Sequence, residues 1–367
     1  MDSESLPYTD YDRLSFPPQF AADCLGLTTR TLKTIEEEND LKITRVARGS
    51  VSARVYTLAD IFQIAAIRRE KGATKGLSRP LTLSTFVQKG GTAKTTCSVN
   101  LAIYLSLCGL RTLLIDNDPQ GDASSMLGYD PDLTGDELEE MGIPASRAVE
   151  GHFGNLLGLS NMFQPMSLAQ VLKKPFGEYG PHLIPAEESL DDLDVALDAA
   201  NNSDFRYASF IQKARKGELE HCDLSPYDII IFDNAPSGSR LTRNTMVASD
   251  MLLCPVRMDK FSFRALTRLA NRLAAFQEDF QRAPAICAVP TMFIKNRPRI
   301  LANLLKLSEV FQGRVTEERL YLSEDYSKAL EESVPVIVWR GASANSAGAM
   351  KEVFGEILRR LRSIAAR

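Results

Sequence analysis

Short apolar runs, each closed by polar or acidic residues, punctuate the chain: Leu81 to Val87, Leu113 to Ile115, Ile229 to Phe232, Met251 to Val256 and Ala285 to Pro290. Runs of this kind without alternation predict strands covered on both faces, as in a parallel sheet. Helix-like stretches lie between them, beginning with Cys97 to Leu107, so residues 78–367 predict an α/β domain: a mostly parallel sheet flanked by helices. Near the amino terminus the pattern differs. Ala21, Ala22 and Leu25 precede Gly26, and Thr28 then stands as an N-cap before Leu32 and Ile35 at helical spacing. Ile43 to Tyr56 predicts two short strands around a Gly49-Ser50 turn, and Thr57 caps a further helix running to about Lys71. Residues 20–77 are therefore expected to form a small winged helix-turn-helix domain, after a polar tail at 1–19 and before a basic linker, Gly72 to Arg79.

The chemistry concentrates between the first apolar run and the helix after it. Lys89, Gly90, Gly91, Thr92, Ala93, Lys94, Thr95 and Thr96 form a strand, glycine loop, helix sequence. Glycines let backbone N–H groups turn onto phosphate oxygens, and the helix adds its positive end. Lys94 is placed to reach the β and γ phosphates and Thr95 to ligate Mg²⁺. The ordinary pattern G-x-x-x-x-G-K-[ST] is not met, because Gln88 and Ala93 occupy its glycine positions and a second lysine, Lys89, appears. Two acidic segments complete the set: Asp116, Asp118, Pro119 and Gln120 after one strand, and Asp233 after another. Open α/β sheets collect ligands at the carboxyl ends of their strands, so the three segments are expected to converge on one crevice.

The two-lysine loop resembles the deviant Walker A box of the ParA/MinD ATPases, Asp116 to Gln120 resembles that family's D-x-D-P-Q box, and Tyr227 to Pro236 resembles its Walker B strand. The resemblance implies a P-loop NTPase fold with ATP and Mg²⁺ as cofactors. Lys89, Lys94 and Asp118 are implied as catalytic residues: Asp118 orients the attacking water, and Lys89 contacts nucleotide across a homodimer interface. Asp233 is implied to hold the Mg²⁺ shell, while Asp116 reads as a strand-end residue that holds its loop. At Ala93 the family usually has glycine. If the loop needs positive φ there, alanine costs about 1 to 2 kcal/mol.

The amino-terminal elements resemble a winged domain of the MerR-like kind. Thr29, Arg30 and Lys33 on the second helix, with Arg45, Arg48 and Arg54 around the hairpin, are the expected contacts to a specific operator. Residues 20–80 carry 11 Lys and Arg against 7 Asp and Glu, while the whole chain is negative, and this segregated sign suits a phosphate-facing surface. Lys295, Arg297 and Arg299, with Lys306, are candidate contacts from the larger domain to any duplex. With the added domain, the resemblance is to ParA-type partition ATPases of the larger kind. It implies an ATP-dependent dimer, non-specific DNA binding, slow hydrolysis stimulated by a ParB-type centromere-binding partner, and a cytoplasmic, nucleoid-associated protein. A nucleotide-tuned transcriptional repressor and a MinD-like membrane-cycling ATPase stay open as alternatives.

Composition narrows the field modestly. The chain has 367 residues, 44% hydrophobic and 25% charged, with a net charge of −4, so charge alone decides nothing about DNA. Six scattered cysteines form no C-x-x-C pair and read as reduced core residues, Cys97 included despite its place near a helix start and two lysines. His152, His182 and His221 support no hydrolase triad. No signal peptide or membrane span is expected. The stripe Val353, Phe354, Ile357, Leu358, Leu361 and Ile364 reads first as core packing, and otherwise as a DNA-hugging or membrane-lying helix.

Overall fold

A computed structural model describes residues 11, 14–48, 51–159, 163–187, 189–259 and 263–367. Its amino-terminal part comprises α1 (Pro18–Leu25), α2 (Thr29–Glu38), an antiparallel pair β1 (Arg45–Arg48) and β2 (Val51–Arg54), and α3 (Leu58–Glu70). The predicted caps form. The Thr28 hydroxyl accepts from Thr31 N at 3.1 Å, and Thr57 makes a reciprocal capping box with Asp60. Gly26 ends α1 at φ 63°, which a side chain would resist. The Gly49-Ser50 turn lies outside the described residues.

Six strands then form one parallel sheet: β3 (Leu81–Thr85), β4 (Thr112–Asn117), β5 (His182–Ile184), β6 (Ile229–Asn234), β7 (Met251–Arg257) and β8 (Ala285–Thr291), in the spatial order β5-β4-β6-β3-β7-β8. Every residue of β3, β4, β5 and β6 is buried, as strands covered on both faces require. β5 has no counterpart among the expected strands, because three residues between polar turns carry too short a pattern to distinguish. The loop after β3 leads into α4 (Lys94–Leu107), which crosses the sheet. Strand register brings the acidic ends together: Asp116 lies opposite Asp233 and Asn117 opposite Asn234 on the adjacent β4 and β6.

One apolar core runs from Leu32 and Phe62 in the amino-terminal elements through Val99 and Ile103 of α4 to Phe354 and Ile357 of the carboxyl-terminal helix (Ala349–Ala365). The expected linker is pinned rather than loose. Arg79 pairs with Asp250 at 3.0 Å, and Arg362 Nη2 donates to the Lys75 carbonyl at 2.6 Å. In the stripe of the last helix Val353, Phe354, Ile357, Leu358 and Leu361 are buried and Ile364 is half-buried; the helix packs against α4, with Tyr104 and Phe354 rings 6.0 Å apart, so packing accounts for the stripe. Each such fully buried side chain contributes about 1.5 to 3 kcal/mol. Among the described residues no helix is long and apolar enough to cross a membrane.

Candidate functional site

The carboxyl ends of β3, β4 and β6 meet at the start of α4, and the predicted residues gather there. Lys94 is the first residue of α4 and only 7% exposed. Burial pulls its ammonium below the usual lysine range, and the negative charges of Asp233, Asp118 and Asp122 oppose that shift. Asp118 is likewise almost buried; its Oδ1 accepts from Gln120 N at 3.1 Å, and burial raises its carboxyl despite that bond and the nearby Lys94.

Asp233 is completely buried at the end of β6. Its Oδ1 accepts from Ser98 Oγ at 2.7 Å and Thr85 Oγ1 at 3.1 Å. Burial pushes the carboxyl up, while Ser98, the Thr95 hydroxyl and Lys94 favour the ionised form. The second oxygen, Oδ2, is buried with no donor in hydrogen-bond geometry. A carboxylate oxygen held that way is costly unless a cation or water meets it.

Asp116 serves its loop. Oδ2 accepts from Ser124 N at 2.8 Å and Ser124 Oγ at 2.7 Å, and Oδ1 accepts from Asp118 N at 3.3 Å. Burial and the charge of Asp233 raise its carboxyl well above the ordinary range. Beneath the site lies a polar network that the sequence did not disclose: Asn117 Nδ2 donates to Asn234 Oδ1 at 2.8 Å, Thr245 Oγ1 and Tyr207 OH each add a bond at 3.0 Å, and Asn234 Nδ2 donates to the Thr85 carbonyl at 2.8 Å.

In the loop itself Lys89, Gly90 and Gly91 are exposed and Thr92 is buried. Ala93 stands at φ 68° and ψ 34°, the left-handed region that alanine resists, so the strain expected at this position is present. Cys97 is buried and its thiol is pushed up to about 12 by burial, which suits a packed residue rather than a reactive one.

The expected DNA contacts divide. Arg30, Lys33 and Arg45 are exposed and Thr29 is half-buried; Lys33 pairs with Glu37 on its own helix at 3.3 Å. Arg54 is a correction: its guanidinium turns inward to Glu36 Oε2 at 2.6 Å, and Glu36, itself buried, also accepts from Tyr56 OH. It fastens the hairpin to α2 instead of facing outward. The side chain of Arg48 lies outside the described ones. Lys295, Arg297 and Arg299 are exposed together after β8, far in sequence from the phosphate loop, with Lys295 Nζ 4.5 Å from the Tyr321 ring centre. Lys306 is exposed on the helix that follows.

A parallel sheet with a strand, loop and helix phosphate cradle, flanked by acidic strand ends, defines a phosphate-loop nucleoside-triphosphatase fold. Residues 81–286 match the AAA_31 family, an AAA domain, and the chain belongs to this family, that of the ParA/Soj-type chromosome partition ATPases. Similar proteins include the chromosome-partitioning ATPase Soj of Thermus thermophilus, 32% identical over 193 residues, which are 52% of this chain and 59% of that one. The chromosome partitioning protein ParA of Myxococcus xanthus is 29% identical over 187 residues, 51% of this chain and 55% of that one. The chain thus spans little more than half the length of these relatives. Among solved structures, one described as a partition protein superposes with a TM-score of 0.61 at 18% identity, covering 96% of this chain and 94% of that one. Cobyrinic acid a,c-diamide synthase from Mycobacterium smegmatis, with bound ATP analog and magnesium, superposes with a TM-score of 0.58 at 21% identity, covering 77% and 96%. At these identities the likeness is one of fold.

Proposed function

We propose that the chain is a DNA-partition ATPase that binds ATP and Mg²⁺, dimerises, holds DNA non-specifically and hydrolyses ATP on stimulation by a ParB-type partner. The observation that carries this reading is the convergence of Lys94 and Thr95, at the start of α4, with Asp118 and the half-satisfied Asp233. Lys94 binds the β and γ phosphates. The Thr95 hydroxyl and Asp233 offer hard oxygen donors, which suit Mg²⁺, and among the described residues no group of three or more His, Cys, Asp or Glu makes a metal cage. That fits an ion that shares its coordination with phosphate and water; when bound, it neutralises phosphate charge. Asp118 would accept a hydrogen bond from the attacking water and orient it, and Lys89, exposed on the loop, would reach the nucleotide of a second copy.

Arg30, Lys33 and Arg45 are assigned to an operator, and Lys295, Arg297 and Arg299 to any duplex. The extension of the partition-protein superposition over 96% of this chain supports including the amino-terminal elements in the same design. Burial of the last helix against α4 speaks against a membrane-cycling role.

The test is DNA retention and ATP turnover with ATP, ADP or no nucleotide. Wild type is expected to retain random duplex only with ATP. Lys94→Ala is expected to lose ATP binding in calorimetry, and Asp118→Ala to keep ATP, lose turnover and stay on DNA. Unchanged ATP affinity in Lys94→Ala, or partner-stimulated turnover in Asp118→Ala equal to wild type, overturns the assignment.

A further inference from the structure

For a phosphate loop to present its N–H groups to an anion, its carbonyls must face the other way, where a protein donor that meets them also fixes their direction. Two successive carbonyls are met from outside the loop. Arg257 Nη1, at the end of β7, donates to the Gly91 carbonyl at 2.9 Å. Thr291 Oγ1, at the end of β8, donates to the Thr92 carbonyl at 3.3 Å. Both donors are themselves fixed. Asp259 grips Arg257 bidentately, Nε to Oδ1 at 2.8 Å and Nη2 to Oδ2 at 2.6 Å. Thr291 is buried, and its own carbonyl accepts from Met258 N at 2.9 Å. Gly91 leaves room for the guanidinium: at φ 64° it holds the turn, and a Cβ there would stand 3.3 Å from Arg257 Nη1.

We infer that Arg257, Asp259 and Thr291 are positioning residues that fix the Gly91 and Thr92 peptide planes, and so aim the loop's N–H groups into the cradle. The inference rests on the nucleotide-binding reading above. Arg257 does not act here as a bare phosphate-binding charge, because the bidentate carboxylate already neutralises it. The bond it gives to Gly91 is one of orientation.

The sign of one substitution separates the two roles. If Arg257 attracted nucleotide by charge, Asp259→Asn would remove a competing negative charge and tighten binding. If Asp259 holds the strap, the same substitution weakens binding, because Arg257 is released. Calorimetry with a non-hydrolysable ATP analog and Mg²⁺ is expected to give roughly tenfold weaker binding for Arg257→Gln and for Asp259→Asn, and a smaller loss for Thr291→Val. At saturating analog, hydrogen exchange at amides 91 to 93, which bound phosphates would protect, should be faster in Asp259→Asn than in wild type, at an unchanged melting temperature. Tighter or equal binding in Asp259→Asn, or unchanged exchange, overturns the strap. Should Arg257→Gln not fold, Asp259→Asn and Thr291→Val still decide. A wild-type chain that binds no nucleotide sinks the underlying reading instead, whereas wild-type binding lost in Lys94→Ala but untouched in all three strap variants sinks only this one.

Discussion

Ala93 carries a cost that the rest of the loop is built around. Its φ of 68° sits where a Cβ crowds the following carbonyl, at about 1 to 2 kcal/mol. Ala93→Gly is therefore expected to gain up to about 1 kcal/mol, after the larger chain entropy of glycine is set against the relief. The gain divides between melting temperature and nucleotide affinity, and thermal melts with calorimetry measure both shares; a loss in both would show that alanine is comfortable there. Lys94, Thr95, Asp118 and Asp233 are legible from spacing because the loop and strand ends encode their chemistry within a few positions. Arg257 and Thr291 are not. Their partners lie 166 and 199 positions away, and an arginine or a threonine at a strand end is ordinary until the fold brings a carbonyl to it.

Among the elements, α2 and the β1-β2 hairpin illustrate how a correct pattern can misassign one residue. The caps at Thr28 and Thr57 and the hairpin strands are readable because capping and alternation are local. The inward turn of Arg54 is not, since Glu36 reads as one of three consecutive acids on a polar helix and only the packing of hairpin on helix buries it. The two kinds of arginine should separate on mutation. Arg54→Ala leaves Glu36 without its cation and is expected to cost about 1 to 3 kcal/mol in stability. Arg30→Ala should leave stability within about 0.5 kcal/mol, weaken operator footprints and lower the salt slope by about 0.9. Chemical denaturation and binding at several salt concentrations check both; the opposite pattern would return Arg54 to the surface.

At the scale of the molecule, the sequence divides at the linker more sharply than the fold does. Residues 20–77 and 78–367 read as separate domains because composition changes at Gly72 to Arg79, but apolar side chains from both sides meet in one core. Removing residues before Ser78 would expose that surface, so point substitutions are the cleaner way to separate the two proposed DNA-binding modes. The interior on the other side of the sheet links stability to pH. His152 and His182 are buried and neutral, each pulled down to about 4 chiefly by burial. His182 accepts or shares a proton with Tyr227 OH at 2.8 Å and meets the Glu178 carbonyl at 3.0 Å. Unfolded, each histidine takes up a proton near pH 6.5, so the stability drawn from their staying neutral is full above that value and is lost as pH falls toward 4. The raised carboxyls of Asp116, Asp118 and Asp233 bind protons more readily folded than unfolded and work the opposite way over the same range. The histidine effect is therefore read as a difference: between pH 7.5 and 4.5 the denaturant midpoint of wild type is expected to fall relative to that of His152→Gln, and parallel profiles would show that His152 contributes nothing.

The helix α4 has a mechanical meaning beyond its role in the site. It is a single rod of 14 residues, about 21 Å long, with Lys94 at one end. Just past its other end Gly109 is seated under α3 so closely that a methyl group would come within 2.8 Å of Arg69 Cβ and 2.9 Å of the Ala65 carbonyl. A stiff beam with one end in the phosphate cradle and the other wedged beneath the amino-terminal helices has no slack joint between them. Tilting it at the loop must displace α3 or compress that contact, which makes the two halves of the chain one lever.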